Sequence, residues 1–216
     1  TYVNATTPTN GQWNALSTSG AGTVVSINAT GSNKLRYART GNAGAATRTT
    51  DFSPVPSSLM VRFDLTVSGN SVAQTTAGGW YLGSAFTTAN SAPANADVHS
   101  RIGLNWTATA GQFSIRNLVG SANSANYTGT QTITWVVNNT ASSMTYRAPD
   151  GSNESLAAEK ADLWIGTTKE FNDINETTTA QTLPDLKFAF SAGTATVDQD
   201  NFLIDPIPAI PTSAAA

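Results

Sequence analysis

Three observations predict an all-β protein whose antiparallel strands pack as a sandwich of two sheets. Apolar and polar residues alternate along many short segments, as expected of strands with one buried face. Clusters of Gly, Asn, Ser and Pro separate these segments at short, fairly regular intervals. Only residues 154–162 have a helical composition, and they could equally form the returning arm of a hairpin. This pattern favours a sandwich over a parallel sheet.

The clearest strand is the segment "SLMVRFDLTVSG", residues 58–69. Its alternate positions put five apolar side chains on one face: Leu59, Val61, Phe63, Leu65 and Val67. Residues 101–117 predict a hairpin with a turn near residues 110 and 111. The inward-facing residues of that hairpin are Ile102, Leu104, Trp106, Phe113 and Ile115.

Further strands are predicted for the segments "TITWVV", "MTYR", "ADLWIGT" and "DLKFAFSAG". Between the second and the third of them lies Pro149-Asp150-Gly151, a sequence typical of a tight turn because Pro and Gly adopt the required backbone angles. Several short strands separated by turns again indicate a sandwich.

Composition excludes several classes of protein. Charged residues are only 12% of the chain, whereas Thr, Ser and Asn number 33, 21 and 19, so hydroxyls and amides supply the polar surface, as in many extracellular β proteins. The absence of cysteine excludes disulfides and thiolate metal sites. No apolar run approaches the roughly 18 residues of a membrane span. We therefore expect a secreted or cell-surface protein.

Charge is distributed unevenly. The net charge is −3, yet residues 1–50 contain no acid and four basic residues: Lys34, Arg36, Arg39 and Arg48. Seven carboxylates lie between residues 150 and 176. The basic stretch lacks the density and interleaved aromatic residues of a nucleic-acid-binding surface, so no nucleic-acid partner is expected. It could instead favour an anionic ligand.

We expect one sandwich domain over residues 1–205 and a Pro/Ala-rich, linker-like tail over residues 206–216. The spaced prolines of "PIPAIPTSAAA" are typical of an extended, semi-rigid segment. The domain is therefore expected to be a module of a larger chain. Its first residues lack the basic-then-apolar pattern of a signal peptide, which indicates a processed form.

Motifs for hydrolytic catalysis are missing. The four glutamates lie in one acidic stretch and lack the Glu-x-Asp-x-x-Glu spacing that some sandwich glycosidases use. No G-x-S-x-G nucleophile elbow is present. His99 is the single histidine, so any imidazole chemistry depends on it. The alternative is a histidine held at a strand start by local hydrogen bonds.

Polar residues around this histidine predict a ligand-binding surface. His99, Arg101 and Asn105 share strand parity, and Arg116 could lie opposite them across the hairpin. Arginines on one face can bind a sugar carboxylate through paired hydrogen bonds. These four residues are candidate glycan ligands.

Aromatic residues are a second source of sugar contacts. Trp106 and Trp135 are in phase with apolar neighbours, which predicts burial in the core. Trp80 and Tyr81 lie in the turn-rich segment "AGGWYLGS", and Trp164 is out of phase with the apolar residues on either side. Trp80, Tyr81 and Trp164 are therefore the candidate platforms for stacking on a sugar ring, with burial as the alternative.

The segment "TVDQDNFLID" places Asp198 and Asp200 in phase with Phe202 and Ile204. In a regular strand both carboxylates would point to the buried face, where a charge needs a partner. An arginine would satisfy that need, and so would a structural Ca²⁺, which prefers oxygen ligands. Solvation at a strand edge is the third alternative.

The closing segment "TATVDQDNFLIDPIP" resembles the last strand of jelly-roll carbohydrate-binding modules and related concanavalin A-like, laminin-G-like domains of secreted bacterial polysaccharide-degrading proteins. The segments "LMVRFDLTV", "FSIRN", "TITWVV" and "ADLWIGT" resemble other strands of that architecture, so the likeness covers residues 20–207. It implies an antiparallel two-sheet jelly-roll sandwich and a polysaccharide or glycan ligand. It also implies that Asp200 helps to hold a structural Ca²⁺.

The resemblance extends to jelly-roll polysaccharide lyases acting on uronate polymers. That alternative implies His99 as base, Arg101 and Arg116 as neutralisers of the uronate carboxylate, and Tyr81 or Tyr146 as acid. Lyase strand motifs such as Arg-Ser/Thr-Glu and Gln-Ile/Val-His are missing. A non-catalytic glycan-binding module is therefore the first hypothesis and a lyase the second. The third is a structural or adhesive surface domain, favoured if the candidate aromatics are buried and no groove crosses a sheet.

Overall fold

A computed structural model describes residues 3–5, 13, 15–28, 34–48, 50–179 and 181–207, and these residues contain sixteen strands. In chain order they are β1 Val3–Ala5, β2 Ala15–Thr18, β3 Thr23–Asn28, β4 Lys34–Arg39, β5 Gly44–Arg48, β6 Ser58–Ser68, β7 Gln74–Gly83, β8 Val98–Trp106, β9 Phe113–Asn117, β10 Gln131–Asn138, β11 Met144–Arg147, β12 Asn153–Leu156, β13 Lys160–Ile165, β14 Thr168–Asn175, β15 Asp185–Phe190 and β16 Ala195–Asp205. A single 3₁₀ turn, Asn95–Asp97, precedes β8 in this part of the chain. None of the described residues form a helix long and apolar enough to cross a membrane.

The strands form two antiparallel sheets and one separate hairpin. The eight-stranded sheet has the order β14-β13-β10-β6-β16-β4-β3, with β1 also paired to β16. The six-stranded sheet has the order β2-β5-β15-β7-β8-β9, and β11 pairs with β12 in the hairpin. Consecutive strands such as β6 and β7 lie in different sheets, so the chain passes repeatedly between the layers, as in a jelly roll. The predicted all-β jelly-roll sandwich is confirmed.

The core lies between the two sheets, where the inward faces of the strands meet. Trp80 of β7 stacks on Phe188 of β15 with ring centroids 4.5 Å apart. Its Nε1 donates to Gln199 Oε1 of β16 at 3.0 Å, a bond that links the two sheets. Trp106 and Trp135 are buried as predicted. The five alternate apolar residues of β6 are also buried.

The β11–β12 hairpin packs on the outer face of the eight-stranded sheet. The predicted turn is present, with Gly151 at a φ of 86°, a left-handed conformation that glycine adopts without strain. Residues 154–162 form β12 and the start of β13, so the hairpin alternative was the right one. A separate apolar cluster joins the hairpin to the sheet: Met60, Val136, Met144, Tyr146, Ala148, Leu156, Trp164 and Ile207.

Ile207 lies within the predicted tail, yet it is 9% exposed and belongs to this cluster. The chain therefore still packs on the sheet at residue 207. Residues 208–216, the rest of the predicted linker, lie outside the described residues. The division at residue 205 stays a prediction.

A long loop, residues 84–97, covers part of the outer face of the six-stranded sheet. Phe86 packs against Tyr81 and Ala189 on that face. Lys187 of β15 is 1% exposed, and its Nζ donates to the backbone oxygen of Thr87 at 3.0 Å. This face is therefore partly closed by the protein itself.

A β-bulge at Asn201 changes the phase of β16. The pairing of β16 with β6 shifts there, and Asn201 adopts a φ of 52°. An extra residue in a strand turns all following side chains to the opposite face. The prediction that Asp198 and Asp200 share the buried face of Phe202 and Ile204 is therefore wrong, because the two aspartates lie on the outer face.

Candidate functional site

Three of the predicted ligand residues lie together on the outer face of β8 and β9. Arg101 and Asn105 occupy alternate positions of β8, and Arg116 of β9 is paired with Gly103 between them. Asn123 joins the group, because its Oδ1 accepts from Asn105 Nδ2 at 2.9 Å and from Arg116 Nη1 at 3.0 Å. The shared face is as predicted, whereas the role of these residues in binding a ligand stays a prediction.

His99 does not join this group. A register shift between Leu82 and Gly83 adds a residue to β8 beside His99, and the imidazole is 1% exposed. Its Nδ1 lies 3.9 Å from Glu159 Oε2, in the turn before β13. Burial lowers the pKa of His99 and raises that of Glu159. A histidine enclosed in this way does not face the surface that carries Arg101.

The predicted aromatic platforms are all buried. Trp80 is fully enclosed in the core, because its strand alternation aims it between the sheets. Trp164 faces outward as its phase predicts, but the hairpin covers it and its Nε1 donates to Tyr146 Oη at 2.7 Å. Tyr81 lies over Gly79, where an added Cβ would be 2.7 Å from its hydroxyl oxygen. None of these rings presents an open face to a sugar.

The structure brings together only some of the residues assigned to a lyase. Arg101 and Arg116 lie on the outer face of the six-stranded sheet. Tyr146 belongs to the hairpin on the opposite side of the sandwich. The other candidate acid, Tyr81, is paired with Arg101 across β7 and β8 and belongs to the cluster on which Phe86 of the loop packs. His99, the candidate base, is buried and lies beside Glu159, so it does not share the face of Arg101 and Tyr81. The lyase assignment stays a prediction.

The aspartates of the closing strand do not fit the predicted calcium site. Arg36 Nε and Nη2 donate to the two carboxylate oxygens of Asp198 at 2.7 and 2.6 Å. The hydrogen-bonded carboxylate raises the pKa of Arg36. Among residues 3–5, 13, 15–28, 34–48, 50–179 and 181–207, no group of three His, Cys, Asp or Glu side chains could hold a metal ion. Arginine, one of the alternatives considered for Asp198, is the partner observed.

Two adjoining cavities on the outer face of the eight-stranded sheet form a polar depression, which we name the outer groove. One cavity, of about 230 Å³, lies between the sheet and the hairpin and is lined by Met60, Arg62, Thr132, Thr134, Arg147, Ala148, Pro149 and Gly166. The other, of about 130 Å³, is lined by Lys34, Asp64, Thr66, Thr130, Asp198, Asp200 and Asn201. They adjoin where Thr132 Oγ1 donates to Asp64 Oδ1 at 2.6 Å.

Strand register explains why these polar groups meet. Asp64 of β6 is paired with Thr132 of β10 on one side and with Asp200 of β16 on the other. The bulge brings Asn201 back across β6, and its Nδ2 donates to Asp64 Oδ2 at 2.6 Å. Both oxygens of Asp64 are thus held in place, which makes the groove floor a fixed array of hydrogen-bonding groups.

A third cavity, of about 370 Å³, lies at the β3–β4 end of the same face. Its lining consists mainly of small residues: Gly22, Thr23, Val24, Ala38, Arg39, Thr40, Gly69, Thr194, Ala195 and Thr196. Arg39, the charged residue among them, donates to the backbone oxygens of Ser191 and Gly193. Two of the four threonines in this lining, Thr23 and Thr40, also donate to backbone oxygens. This larger cavity therefore offers few free polar groups for a polar ligand.

Of the residues that line the outer groove, Asp198 and Asp200 were predicted as site residues, although as metal ligands, and Lys34 was predicted to favour an anion. The other lining residues were missed at the level of sequence. Alternation along β6 did place Arg62 and Asp64 on the polar face of a predicted strand. The sequence carried no signal that β10 and β16 flank β6, or that the hairpin forms one wall. The third hypothesis, a structural or adhesive surface domain, is favoured by buried candidate aromatics and by the absence of a groove. The aromatics are buried, but a groove does cross the sheet.

Comparisons with known proteins show similarity in structure alone. No protein-family model and no curated protein match the chain. A sialidase has a TM-score of 0.59 at 14% identity, with 95% of this chain and 19% of that chain covered. A carbohydrate esterase from the Shiga toxin-encoding bacteriophage phi24B has a TM-score of 0.56 at 10% identity, with 95% and 97% covered. Lotus tetragonolobus seed lectin has a TM-score of 0.52 at 11% identity, with 94% and 97% covered.

Identities this low are evidence about the fold and not about the ligand. The chain spans about a fifth of the sialidase and nearly the whole of the esterase and the lectin. The chain has two antiparallel sheets joined by repeated crossovers. The jelly-roll resemblance of its sequence implied the same architecture. The chain therefore has an antiparallel two-sheet jelly-roll fold similar to the folds of these solved structures.

Proposed function

We propose that the chain is a non-catalytic carbohydrate-binding module that holds a glycan in the outer groove. The observation that carries the proposal is the set of oriented polar groups on the groove floor, centred on Asp64, Asn201 and Thr132. Sugar hydroxyls both donate and accept hydrogen bonds, so carboxylates, amides and hydroxyls recognise them. The lectin-like fold adds support, because related solved structures include a lectin.

The contacts of the groove favour binding over catalysis. Asp64 accepts hydrogen bonds on both oxygens, and Asp198 forms its paired bonds with Arg36. A carboxylate held in this way is a rigid acceptor for ligand hydroxyls, whereas a general acid must be protonated and free to transfer its proton. We therefore assign these carboxylates to ligand binding.

We also propose that the module is secreted or displayed on the cell surface and is part of a larger chain. A surface rich in hydroxyls and amides supports a secreted or cell-surface location. The proline-spaced end of the sequence supports attachment to a larger chain. The ligand is then a polysaccharide or another glycan outside the cell.

A glycan array followed by calorimetry on the strongest ligand tests the proposal. Asn201→Gly removes the amide that orients Asp64, while glycine tolerates the left-handed backbone of the bulge. We expect this variant to bind about tenfold more weakly or worse, the effect of losing a hydrogen bond to a charged group. Asn123→Gly, which removes an amide from the other sheet, is the matched control and should bind as the parent does. Failure to bind any glycan, or equal losses in both variants, would contradict the proposal.

A further inference from the structure

We infer that the end of the outer groove beside the β11–β12 hairpin is a subsite for the acidic group of an anionic glycan, held by Arg62 and Arg147. The acidic group is a carboxylate or a sulfate, since both present paired oxygens to a guanidinium. The inference rests on the proposed function, because it assigns the chemistry of one part of the same groove.

Arg62 differs from the other arginines in having an unused guanidinium. It is exposed on the outer face of β6, and within the described ranges it has no hydrogen bond, ion pair or ring contact. The six other arginines each have a side-chain, backbone or ring partner: Arg36, Arg39, Arg48, Arg101, Arg116 and Arg147. A guanidinium with five donors is therefore available at the groove surface.

Arg147 supplies a second positive charge from the opposite wall. It lines the same cavity as Arg62, and its Nη1 donates to Asn153 Oδ1 across the hairpin at 3.0 Å. That bond fixes the guanidinium and leaves its other nitrogens for a ligand. Two arginines from different elements, the sheet and the hairpin, thus border a cavity of about 230 Å³.

The nearest carboxylates do not cancel these charges by direct pairing. Asp64, two residues from Arg62 on the same face, is engaged by Thr132 and Asn201. Asp205 of β16 is paired with Met60 of β6. Met60 is two residues before Arg62, whereas Asp64 is two residues after it. The described residues contain no salt bridge between either carboxylate and Arg62. A ligand anion can therefore bind the Arg62 guanidinium without first displacing a carboxylate from it.

Three of the four basic residues predicted earlier to attract an anion are engaged within the fold. Arg36 is paired with Asp198, and Arg39 binds backbone oxygens. Arg48 lies over the ring of Phe52 at 5.1 Å. The fourth basic residue, Lys34, lines the other cavity of the outer groove, whose lining includes three aspartates. The lining of the hairpin-end cavity includes two arginines and no carboxylate, so we assign the anion preference to that end.

Matched acidic and neutral polysaccharides test the subsite. The probes are polygalacturonate and its fully methyl-esterified form for the carboxylate, and carrageenan and agarose for the sulfate. Calorimetry should show at least about tenfold tighter binding of one acidic probe than of its neutral counterpart. Raising the salt from about 0.01 M to about 0.15 M shortens the Debye length from about 30 to about 8 Å and should weaken that preference.

Arg62→Ala and Arg147→Ala should each remove the acidic preference, and Arg62→Lys should keep part of it because Lys retains the charge but not the planar fork. Arg116→Ala, on the six-stranded sheet, is the matched control and should retain the preference. Because Arg62 is exposed and forms no hydrogen bond, ion pair or ring contact with the part of the chain that the structure describes, Arg62→Ala should melt at the parent temperature.

The possible failures are distinguishable. Equal binding of acidic and neutral forms, with Asn201→Gly still weakened, would overturn the subsite and leave the proposed function standing. Equal effects of Arg62→Ala and Arg116→Ala would also overturn the subsite, since the preference would then come from overall charge. Absence of binding to any glycan would overturn both.

Discussion

Asn201 is the residue on which the geometry of the candidate site depends. Its φ of 52° lies at the bulge after which Phe202 and Ile204 face the core, while Asp198 and Asp200, before the bulge, face outward. Asparagine tolerates this left-handed conformation better than most residues, because its short side chain bonds locally. Here that side chain also orients Asp64. One position thus sets both the strand phase and the polar floor of the groove.

Substitution of Asn201 should separate these two roles. Asn201→Val places a β-branched residue in the left-handed region, and we expect the free energy of unfolding to fall by about 1–2 kcal/mol. Asn201→Gly should retain most of the stability, although it loses the bond to Asp64. Urea unfolding of the two variants measures the difference. A valine variant as stable as the glycine variant would show that the bulge is not strained.

At the scale of elements, the β11–β12 hairpin depends on a buried carboxylate. Asp162 is fully buried on β13, and its Oδ2 accepts from Tyr146 Oη at 2.7 Å and lies 3.1 Å from Lys169 Nζ. Tyr146 Oη in turn accepts from Trp164 Nε1. Burial and the neighbouring Asp162 raise the pKa of Tyr146, so its hydroxyl stays protonated and can donate. The network holds the wall of the outer groove against the sheet.

Tyr146→Phe should loosen that wall. The change removes the shared hydroxyl and leaves Trp164 Nε1 without its acceptor, at an expected loss of about 1–3 kcal/mol in the free energy of unfolding. Hydrogen exchange should become faster in β11 and β12 than in β7 and β8, which lie in the other sheet. If exchange rises equally in both sheets, the network supports the whole sandwich and not the hairpin in particular.

At the scale of the whole molecule, the two outer faces of the sandwich are unequal. The loop of residues 84–97 packs on one, and the outer groove opens on the other. The sheets are joined at the centre by the bond from Trp80 to Gln199. At one end His99 of the six-stranded sheet lies beside Glu159, which precedes the first strand residue of β13 in the eight-stranded sheet.

His99 is buried where the two sheets meet, so the free energy of unfolding should depend on pH. Burial holds the pKa of His99 below its ordinary 6.5, so the unfolded chain takes up a proton first as the pH falls. Stability from this group is therefore complete above pH 6.5 and declines as the pH falls toward the lower folded pKa, by at most about 1.4 kcal/mol per pH unit. The contribution of Glu159 to stability has the opposite pH dependence. Burial raises its pKa above 4.5, so its contribution falls as the pH rises through the folded pKa.

Urea unfolding at several pH values just above and below 6.5 measures this effect. His99→Asn keeps a polar group near the position of Nδ1 but cannot be protonated, so its stability should vary less over that interval. A parent protein and variant with parallel pH profiles would show that His99 does not control the dependence.

The sequence by itself determined the fold class and the inward faces of the strands with clear alternation, such as β6, β8, β10 and β15, because alternation and turn residues act over a few neighbouring positions. Burial of Trp106 and Trp135 followed from that local phase. The tertiary structure alone decided that Trp80 is core, that a hairpin covers Trp164 and that a bulge puts Asp198 out of phase with the buried end of β16. These outcomes depend on which distant segments pair and pack together, and periodicity along one strand holds no information about its neighbours. The outer groove is such an outcome, since β6, β10, β16 and the hairpin each contribute a part.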